Sequence, residues 1–363
     1  MGVTADDFAF MARALRLAEQ GLYTATPNPR VGCLIARDGE VVGEGWHRRA
    51  GEPHAEVHAL AAAGSRARDA TVYVTLEPCT HHGRTPPCVD ALIAAQVKRV
   101  VAAMQDPNPQ VSGSGIDRLR AAGIEVEVGV MEAQARELNI GFVARMNRGR
   151  PWLRLKIAAA LDGRTALDNG VSQWITGPGA RRDAHHWRAR SCAVMTGIGT
   201  LRDDDPRLNV REVQTTRQPL RIVVDSRLRI RPEARIFGDG GVLVATATQD
   251  AQRIREVRAR GADIVILPNA QGKVDLERLA AELAGRGINE VTVEAGVNLN
   301  SALHRAGLVD ELVIYYAPML LGAQGRGILD LEEVHRLEDA PRLEVRDLRH
   351  VGADLRVIAR FRR

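Results

Sequence analysis

The sequence predicts an α/β protein of two domains, each a sheet covered by helices. Three observations carry that expectation. Short runs rich in Val, Ile and Leu alternate with stretches of helical apolar spacing along the whole chain. The chain has 363 residues, more than one hydrophobic core usually serves. A polar stretch, Arg148-Gly149-Arg150-Pro151, reads as a linker between residues 1–148 and residues 151–363.

The elements follow in order. Phe8, Met11, Leu15 and Ala18 place a helix over Asp6 to Gln20, with Gly21 as its stop. Residues 31–36 and 41–45 are apolar runs flanking Asp38-Gly39, a strong hairpin signal. A helix is predicted over 54–63, a β-branched strand over 71–76, a helix near 87–95 and a strand over 97–104. A further helix and strand occupy 116–130, and one helix from Glu132 to Met146 closes the first half. Beyond the linker, WLRLKIAAAL, CAVMTG, LRIVVD, GVLVAT, IVILP, NEVTVE and DELVIYYA are the clearest strands, with helical stretches between several.

Composition narrows the function. Hydrophobic residues are 45% and charged residues 26%, ordinary for a soluble globular protein. The start carries early acids and no long apolar run, and no stretch approaches the roughly 20 apolar residues of a membrane helix. A cytoplasmic protein is therefore expected, without a membrane partner. Net charge is only +5, with no like-charge block and no aromatic-basic interleaving, so nucleic acid is not an expected partner. Only three of the 50 basic residues are lysine: Lys98, Lys156 and Lys273. Where Arg fills nearly every cationic position, a surviving Lys suggests a need for its compact ammonium. A disulfide framework is not expected of four cysteines in a cytoplasmic chain of this length.

The chemistry-bearing residues of the first half are His54-Ala55-Glu56, Pro78-Cys79 and Pro87-Cys88. Catalytic zinc takes three protein ligands and leaves one position open. His54, Cys79 and Cys88 supply one imidazole and two thiolates, a set suited to zinc (Zn2+) rather than magnesium or calcium. Glu56 lies two residues after His54, so on a helix it points elsewhere and is free to move protons between water and a leaving amine. Zinc nucleobase deaminases use a non-ligand Glu in this way. A His54/His58 pair is the competing reading, but the metalloprotease signature puts Glu directly after the first His, where Ala55 stands.

The spacing then carries a resemblance. Eight residues separate Cys79 from Cys88 in CTHHGRTPPC, where ordinary cytidine deaminases have two. That expanded loop, TPNPRVG at 26–32 and GWH at 45–47 resemble the deaminase domain of the bifunctional riboflavin-biosynthesis deaminase/reductase family. The resemblance implies a cytidine-deaminase-like three-layer αβα domain. It also implies that Asn28, His47, His81 and Arg84 contact a pyrimidine ribose phosphate. Arg84 stands where the family more often carries Lys; either cation holds a phosphate.

The second half has no GxGxxG fingerprint. It has two Gly-containing turns after strands, at Gly197-Ile198-Gly199-Thr200 and at Glu294-Ala295-Gly296, the latter opening a helix whose N–H groups can hold phosphate. LKIAAALDGRTA, SQWITGPGARRDAHHWRA, TGIGTLRDDDPRLNVR, VVDS and VEAG, in that order, resemble the reductase domain of the same family, which is dihydrofolate-reductase-like. The resemblance implies that Ala158, Trp174, Thr200, Asp204, Ser226 and Gly296 hold NADPH. It implies that Lys156, Ser172, Arg188, Leu208, Arg211 and Glu294 contact the substrate. Ala295 departs from the family's common Glu-Gly-Gly. The family also implies a homo-oligomer, dimer or tetramer, and two reactions: deamination of a diaminopyrimidine ribosyl phosphate, then NADPH reduction of its ribosyl group to ribityl. A nucleic-acid deaminase with an appendage and a zinc-stabilised binding protein are the competing readings. The first lacks a basic stripe or stacking aromatics in the second half, and the second leaves Glu56 without a use.

Overall fold

The computed structural model describes residues 2–80, 86–109, 111–238, 240–331 and 333–362. The chain divides into two compact units, Met1–Gly149 and Arg150–Arg363.

In the first unit, α1 (Ala5–Glu19) precedes the hairpin β1 (Gly32–Arg37) and β2 (Glu40–Trp46), then α2 (Ala55–Ala63) and β3 (Thr71–Val74). It continues through α3 (Cys88–Ala94), β4 (Arg99–Ala102), α4 (Ser114–Ala121), β5 (Glu125–Val128), α5 (Glu132–Leu138) and α6 (Ile140–Arg148). The sheet order is β2-β1-β3-β4-β5, parallel from β3 to β5 and antiparallel at β1. Asp38 and Gly39 turn the hairpin with φ of 52° and 82°, as a two-residue turn with both φ positive requires.

Strand alternation sorts the core into two faces. Cys33 and Ile35 face Ala59 of α2, Val89 and Leu92 of α3 and Leu119 of α4. Leu34 and Ala36 face Met11 and Leu15 of α1, Ala135 of α5 and Phe142 of α6. The result is three layers, αβα. Thr4 and Asp7 form a capping box at α1. Asp7, buried, also accepts from Tyr73 (2.9 Å) and Arg99 (2.7 Å), which fastens α1 to β3 and β4. Burial alone would push the Asp7 carboxyl up; the Arg99, Thr4 and Tyr73 bonds outweigh it and hold it at about 2.

The single helix expected over 132–146 is two. The chain breaks at Asn139, whose side chain exchanges a pair of bonds with the Arg30 backbone (2.7 and 2.9 Å), as a strand partner would.

The second unit runs β6 (Trp152–Ala160), α7 (Pro178–Arg190), β7 (Ala193–Gly197), α8 (Ile198–Asp204), β8 (Leu220–Val224), β9 (Val242–Thr246) and α9 (Ala251–Arg258). It ends with β10 (Ala262–Ile266), α10 (Leu276–Gly285), β11 (Glu290–Val293), α11 (Val297–Arg305), β12 (Glu311–Ala317), β13 (Leu343–Val351) and β14 (Asp354–Phe361). The sheet order is β10-β9-β8-β7-β11-β6-β12-β14-β13. It is parallel from β10 to β12 and closes with the antiparallel hairpin β13–β14. That hairpin was not among the strands expected.

One face of β6, with Leu153, Leu155 and Ile157, packs on α10 and α11. The other face carries Arg154 and Lys156. Arg154, almost fully buried, bonds Glu311 (2.5 Å) and Glu290 (3.3 Å) and lies 4.6 Å over the Trp187 ring of α7. Two strand residues further on, Lys156 and Glu294 repeat the pairing of charges at the sheet's carboxyl end, where open α/β sheets place their ligands. Among the described residues, no helix is long and apolar enough to cross a membrane.

Candidate active sites

In the first unit, His54 is the N-cap of α2 and Cys88 the first residue of α3, so two helix starts meet at one point. His54 Nδ1 lies 3.2 Å from Cys88 Sγ and 3.6 Å from Cys79 Sγ. A tetrahedral ion with Zn–N of about 2.0 Å and Zn–S of about 2.3 Å puts these atoms about 3.5 Å apart. The donor set and its spacing therefore fit zinc. Hydrogen bonds from the Cys88 side chain and from His54 lower the Cys79 thiol toward the thiolate form that a metal takes.

Two features bring this cluster together. Gly43 and Gly45 leave room for α2 on β2: a β-carbon at either would overlap the Ala59 or Ala55 carbonyl oxygen. On the other side, Glu77, buried, accepts backbone N–H groups from Asp106 (3.0 Å), Gly113 (3.0 Å), Gly115 (2.8 Å) and Ile116 (3.3 Å). Thr80 adds a bond to Ser114 (2.8 Å). The segment carrying Cys79 is thus pinned to the start of α4. Sequence reading did not single out Glu77; a carboxylate directly after the apolar run TVYVTL was its signal.

Glu56, in the first turn of α2, is buried within hydrogen-bonding reach of Cys88. Burial pushes its carboxyl up, with His54 opposing. A carboxyl shifted this way takes up a proton more readily than an ordinary glutamate, which suits a general acid–base group. His47, also buried, meets His54 edge-on at 5.3 Å. Its Nδ1 faces the Pro53 carbonyl (3.3 Å) and its Nε2 faces Asn28 Nδ2 (3.1 Å). Burial depresses its basicity, which suits a neutral ring donating at Nδ1 and accepting at Nε2. Both ring nitrogens are then spent inside the protein, and the Asn28 carbonyl oxygen is left for a ligand. His58, of the competing ligand pair, is not in the His54-Cys79-Cys88 cluster. His81 and Arg84 lie outside the described residues.

In the second unit, a cleft of about 1280 Å³ opens at the carboxyl ends of β6, β7, β8 and β11. It brings together all twelve reductase residues singled out from sequence: Lys156, Ala158, Ser172, Trp174, Arg188, Thr200, Asp204, Leu208, Arg211, Ser226, Glu294 and Gly296. Arg188 grips Glu294 through two bonds (2.5 and 2.8 Å), and Lys156 Nζ lies 3.8 Å from the same carboxylate. Burial would push the Glu294 carboxyl up, but Arg188 and Lys156 hold it at about 2. Burial pulls the Lys156 ammonium down against Glu294.

Arg188 also donates to the Asn209 carbonyl (3.1 Å), and Arg211 N–H donates to His185 Nδ1 (3.4 Å). The loop carrying Leu208 and Arg211 is thereby tied to α7. Leu208 sends its side chain into the core, leaving its backbone to the cleft. Trp174, which could have been core, is 70% exposed with Arg181 4.7 Å over its ring. Gln173 bonds Asp204 (2.8 Å), and Gly296 N–H donates to Thr200 Oγ1 (3.2 Å). Gly296 is the N-cap of α11, so free N–H groups line the cleft there, a cradle that fits the phosphates of a dinucleotide.

His185 was not predicted. It is buried in the cleft wall and held neutral, at about 4, by burial and by Arg188 and Arg211. In the sequence it stands beside His186 and Trp187 with no spacing to mark it.

Comparison with known proteins agrees with both halves. The cytidine and deoxycytidylate deaminase zinc-binding region matches residues 4–104, and the RibD C-terminal domain matches residues 151–357. Fold and sites thus define a two-domain enzyme, a zinc-dependent deaminase joined to an NADPH-dependent reductase. The riboflavin biosynthesis protein RibD of Escherichia coli is 51% identical over 96% of this chain and 98% of its own length. That of Haemophilus influenzae is 46% identical over 98% and 97%. A solved structure of Acinetobacter baumannii RibD is 42% identical, covers 98% of this chain and 99% of that one, and superposes with a TM-score of 0.91. A deaminase/reductase structure from Thermotoga maritima is 33% identical, with the same coverage and a TM-score of 0.86. The chain belongs to the RibD family and is a bifunctional deaminase and reductase of riboflavin biosynthesis.

Proposed function

We propose that the first unit deaminates 2,5-diamino-6-(5-phosphoribosylamino)pyrimidin-4(3H)-one. The second unit then reduces the ribosyl group of the product, 5-amino-6-(5-phosphoribosylamino)uracil, to ribityl with NADPH. The Thermotoga relative is described as acting on this pair of substrates. The observation that carries the reading is the meeting of His54, Cys79 and Cys88 beside a buried, non-ligand Glu56.

His54, Cys79 and Cys88 would hold the zinc, which would supply a Lewis acid that acidifies water toward neutral pH. Glu56 takes the proton of the attacking water and delivers it to the departing amine. Asn28 offers its carbonyl oxygen to the pyrimidine, oriented by His47. The family resemblance adds His81 and Arg84 to the substrate contacts, with Arg84 for the phosphate.

Ala158, Trp174, Thr200, Asp204, Ser226 and the turn at Gly296 would hold NADPH in the cleft, where it would supply hydride. Lys156 places positive charge by the ribosylamine nitrogen and favours the ring-opened, hydride-accepting form. Glu294 holds Lys156 and Arg188 in place, Arg188 and Arg211 take the 5′-phosphate, and Ser172 and the Leu208 backbone close the contact.

The reading includes a homo-oligomer, dimer or tetramer, in the cytoplasm. Among the described residues the edge strand β13 has no outer partner, and it exposes Leu343, Val345 and Leu348, which supports pairing with a second copy. The four free cysteines suit a reducing compartment.

Mass spectrometry of the product from the diaminopyrimidine ribosyl phosphate, with and without NADPH, tests the whole. Amine-to-carbonyl exchange alone, with two added hydrogens only when NADPH is present, is the expected outcome. A folded, zinc-loaded protein that leaves this substrate unchanged would sink the substrate assignment and leave a zinc deaminase of some other base.

A further inference from the structure

Two of the three lysines in this Arg-rich chain line the reductase cleft, Lys156 and Lys273. Lys156 is engaged with Glu294. Lys273 is exposed, and its side chain makes no ion pair among the described residues.

Its backbone is nonetheless built in place. Residues 268–274 form a tight turn after β10, closed by a bridge between Pro268 and Val274. The Asn269 side-chain oxygen accepts from Gln271 N–H (3.0 Å) and Lys273 N–H (2.9 Å). Asn269 N–H donates to the Lys273 carbonyl (2.8 Å). Val274 N–H then donates to Ser226 Oγ (3.1 Å), so the turn is fastened to the residue just after β8.

The Ser226 hydroxyl, having accepted that bond, keeps its proton to donate into the cleft. On the other side of Ser226, Asp225 is fully buried and accepts from Ile230 N–H (2.8 Å) and Arg227 N–H (3.4 Å). That fixes the turn that presents Arg227 at the surface of the same cleft. Lys273 and Arg227 therefore flank Ser226 from two independently braced turns, and among the described residues neither cation is paired with a carboxylate.

We propose that Lys273 and Arg227, with Ser226 between them, receive the 2′-phosphate of NADPH and so exclude NADH. The proposal rests on the reading of this cleft as the NADPH site and assigns the residues that discriminate. A monoester phosphate carries up to two negative charges where NADH has a neutral hydroxyl, so two cations facing it separate the coenzymes. The ammonium, a compact charge with three freely directed donors, suits a phosphate approached from the turn; Arg227 supplies a planar fork. Both are exposed, so the attraction is screened by salt.

Equilibrium binding of NADPH and of NADH to the full chain, followed by calorimetry, tests this without catalysis. Lys273→Ala weakens NADPH about 10-fold and Lys273→Ala/Arg227→Ala about 100-fold, as expected for loss of one and of two charge-assisted contacts. NADH affinity stays within about twofold, and the gap between variant and wild type narrows at high salt. Equal weakening of both coenzymes overturns the proposal, because the cations would then be holding the shared pyrophosphate. So does unchanged NADPH binding in the double variant. Wild-type protein that binds neither coenzyme overturns the reading of the cleft itself, a result distinguishable because it appears before any substitution.

Discussion

Glu56 and Lys156 are the residues on which the two proposed reactions turn, and each proposed role has a separable signature. Glu56→Gln keeps the shape and the three ligands but cannot accept a proton. Zinc content by elemental analysis is expected to be unchanged while deamination falls about 10³-fold or more, the upper range for lost general acid–base catalysis. Near-normal turnover would remove Glu56 from the proton path. Lys156 makes its prediction through pH. Burial lowers its pKa from the usual lysine range, against Glu294. The charged form, present below that pKa, is the useful one, so reductase kcat/KM should fall as pH rises through it. Lys156→Arg keeps the charge at every pH, and the alkaline limb should disappear at a lower overall rate. A limb that survives the substitution belongs to another group. Glu294, held at about 2, stays ionised throughout this range and shapes neither limb. Residues of this kind were legible in the sequence because their types are scarce: Cys and His in a fixed order, and a Lys among arginines. His185 was not, since one His on a helix face carries no spacing information.

At the scale of elements, α4 does more than cover the sheet. Its first N–H groups, with those of Gly113 and Asp106, converge on Glu77, two residues before Cys79. Glu77→Gln removes the charge and replaces one acceptor oxygen with a donor. The expected cost is about 2–3 kcal/mol of stability, from charge-assisted bonds lost in a buried place. More specifically, zinc release to a chromogenic chelator should quicken about 10-fold or more, as for other groups that orient metal ligands. A variant that unfolds earlier yet releases zinc at the wild-type rate would limit Glu77 to stability. Element boundaries were less legible than elements. Asn139 splits a helical pattern because its side chain serves a partner 109 residues away, which local periodicity does not register. The β13–β14 hairpin escaped notice for two reasons. A bulge between Val345 and Asp347 breaks its alternation, and most of β13 is exposed, so its apolar residues mark no buried face.

At the scale of the molecule, the two chemistries have separate foundations. The zinc cluster is carried by α2, α3 and the segment after β3, over a core drawn wholly from residues 11–142. The reductase cleft is carried by β6, β7, β8 and β11, over cores drawn from residue 153 onward. Among the described residues of these clusters, none is shared. A lesion in one core or site should therefore not reach the other through packing. Cys88→Ala is the sharpest case, since it removes a proposed zinc ligand. It should abolish zinc binding and deamination, while reduction of chemically deaminated substrate by NADPH stays within a few-fold of wild type. The order of reactions then becomes visible in one tube. The variant should leave the diaminopyrimidine untouched even with NADPH, yet convert the aminouracil ribosyl phosphate to its ribityl form. Loss of both activities in a protein that keeps its far-UV circular dichroism would mean the reductase depends on an intact zinc site. Reduction of the diaminopyrimidine itself would mean that the cleft does not read the group that deamination changes, and that the sequence of steps is set by the deaminase alone.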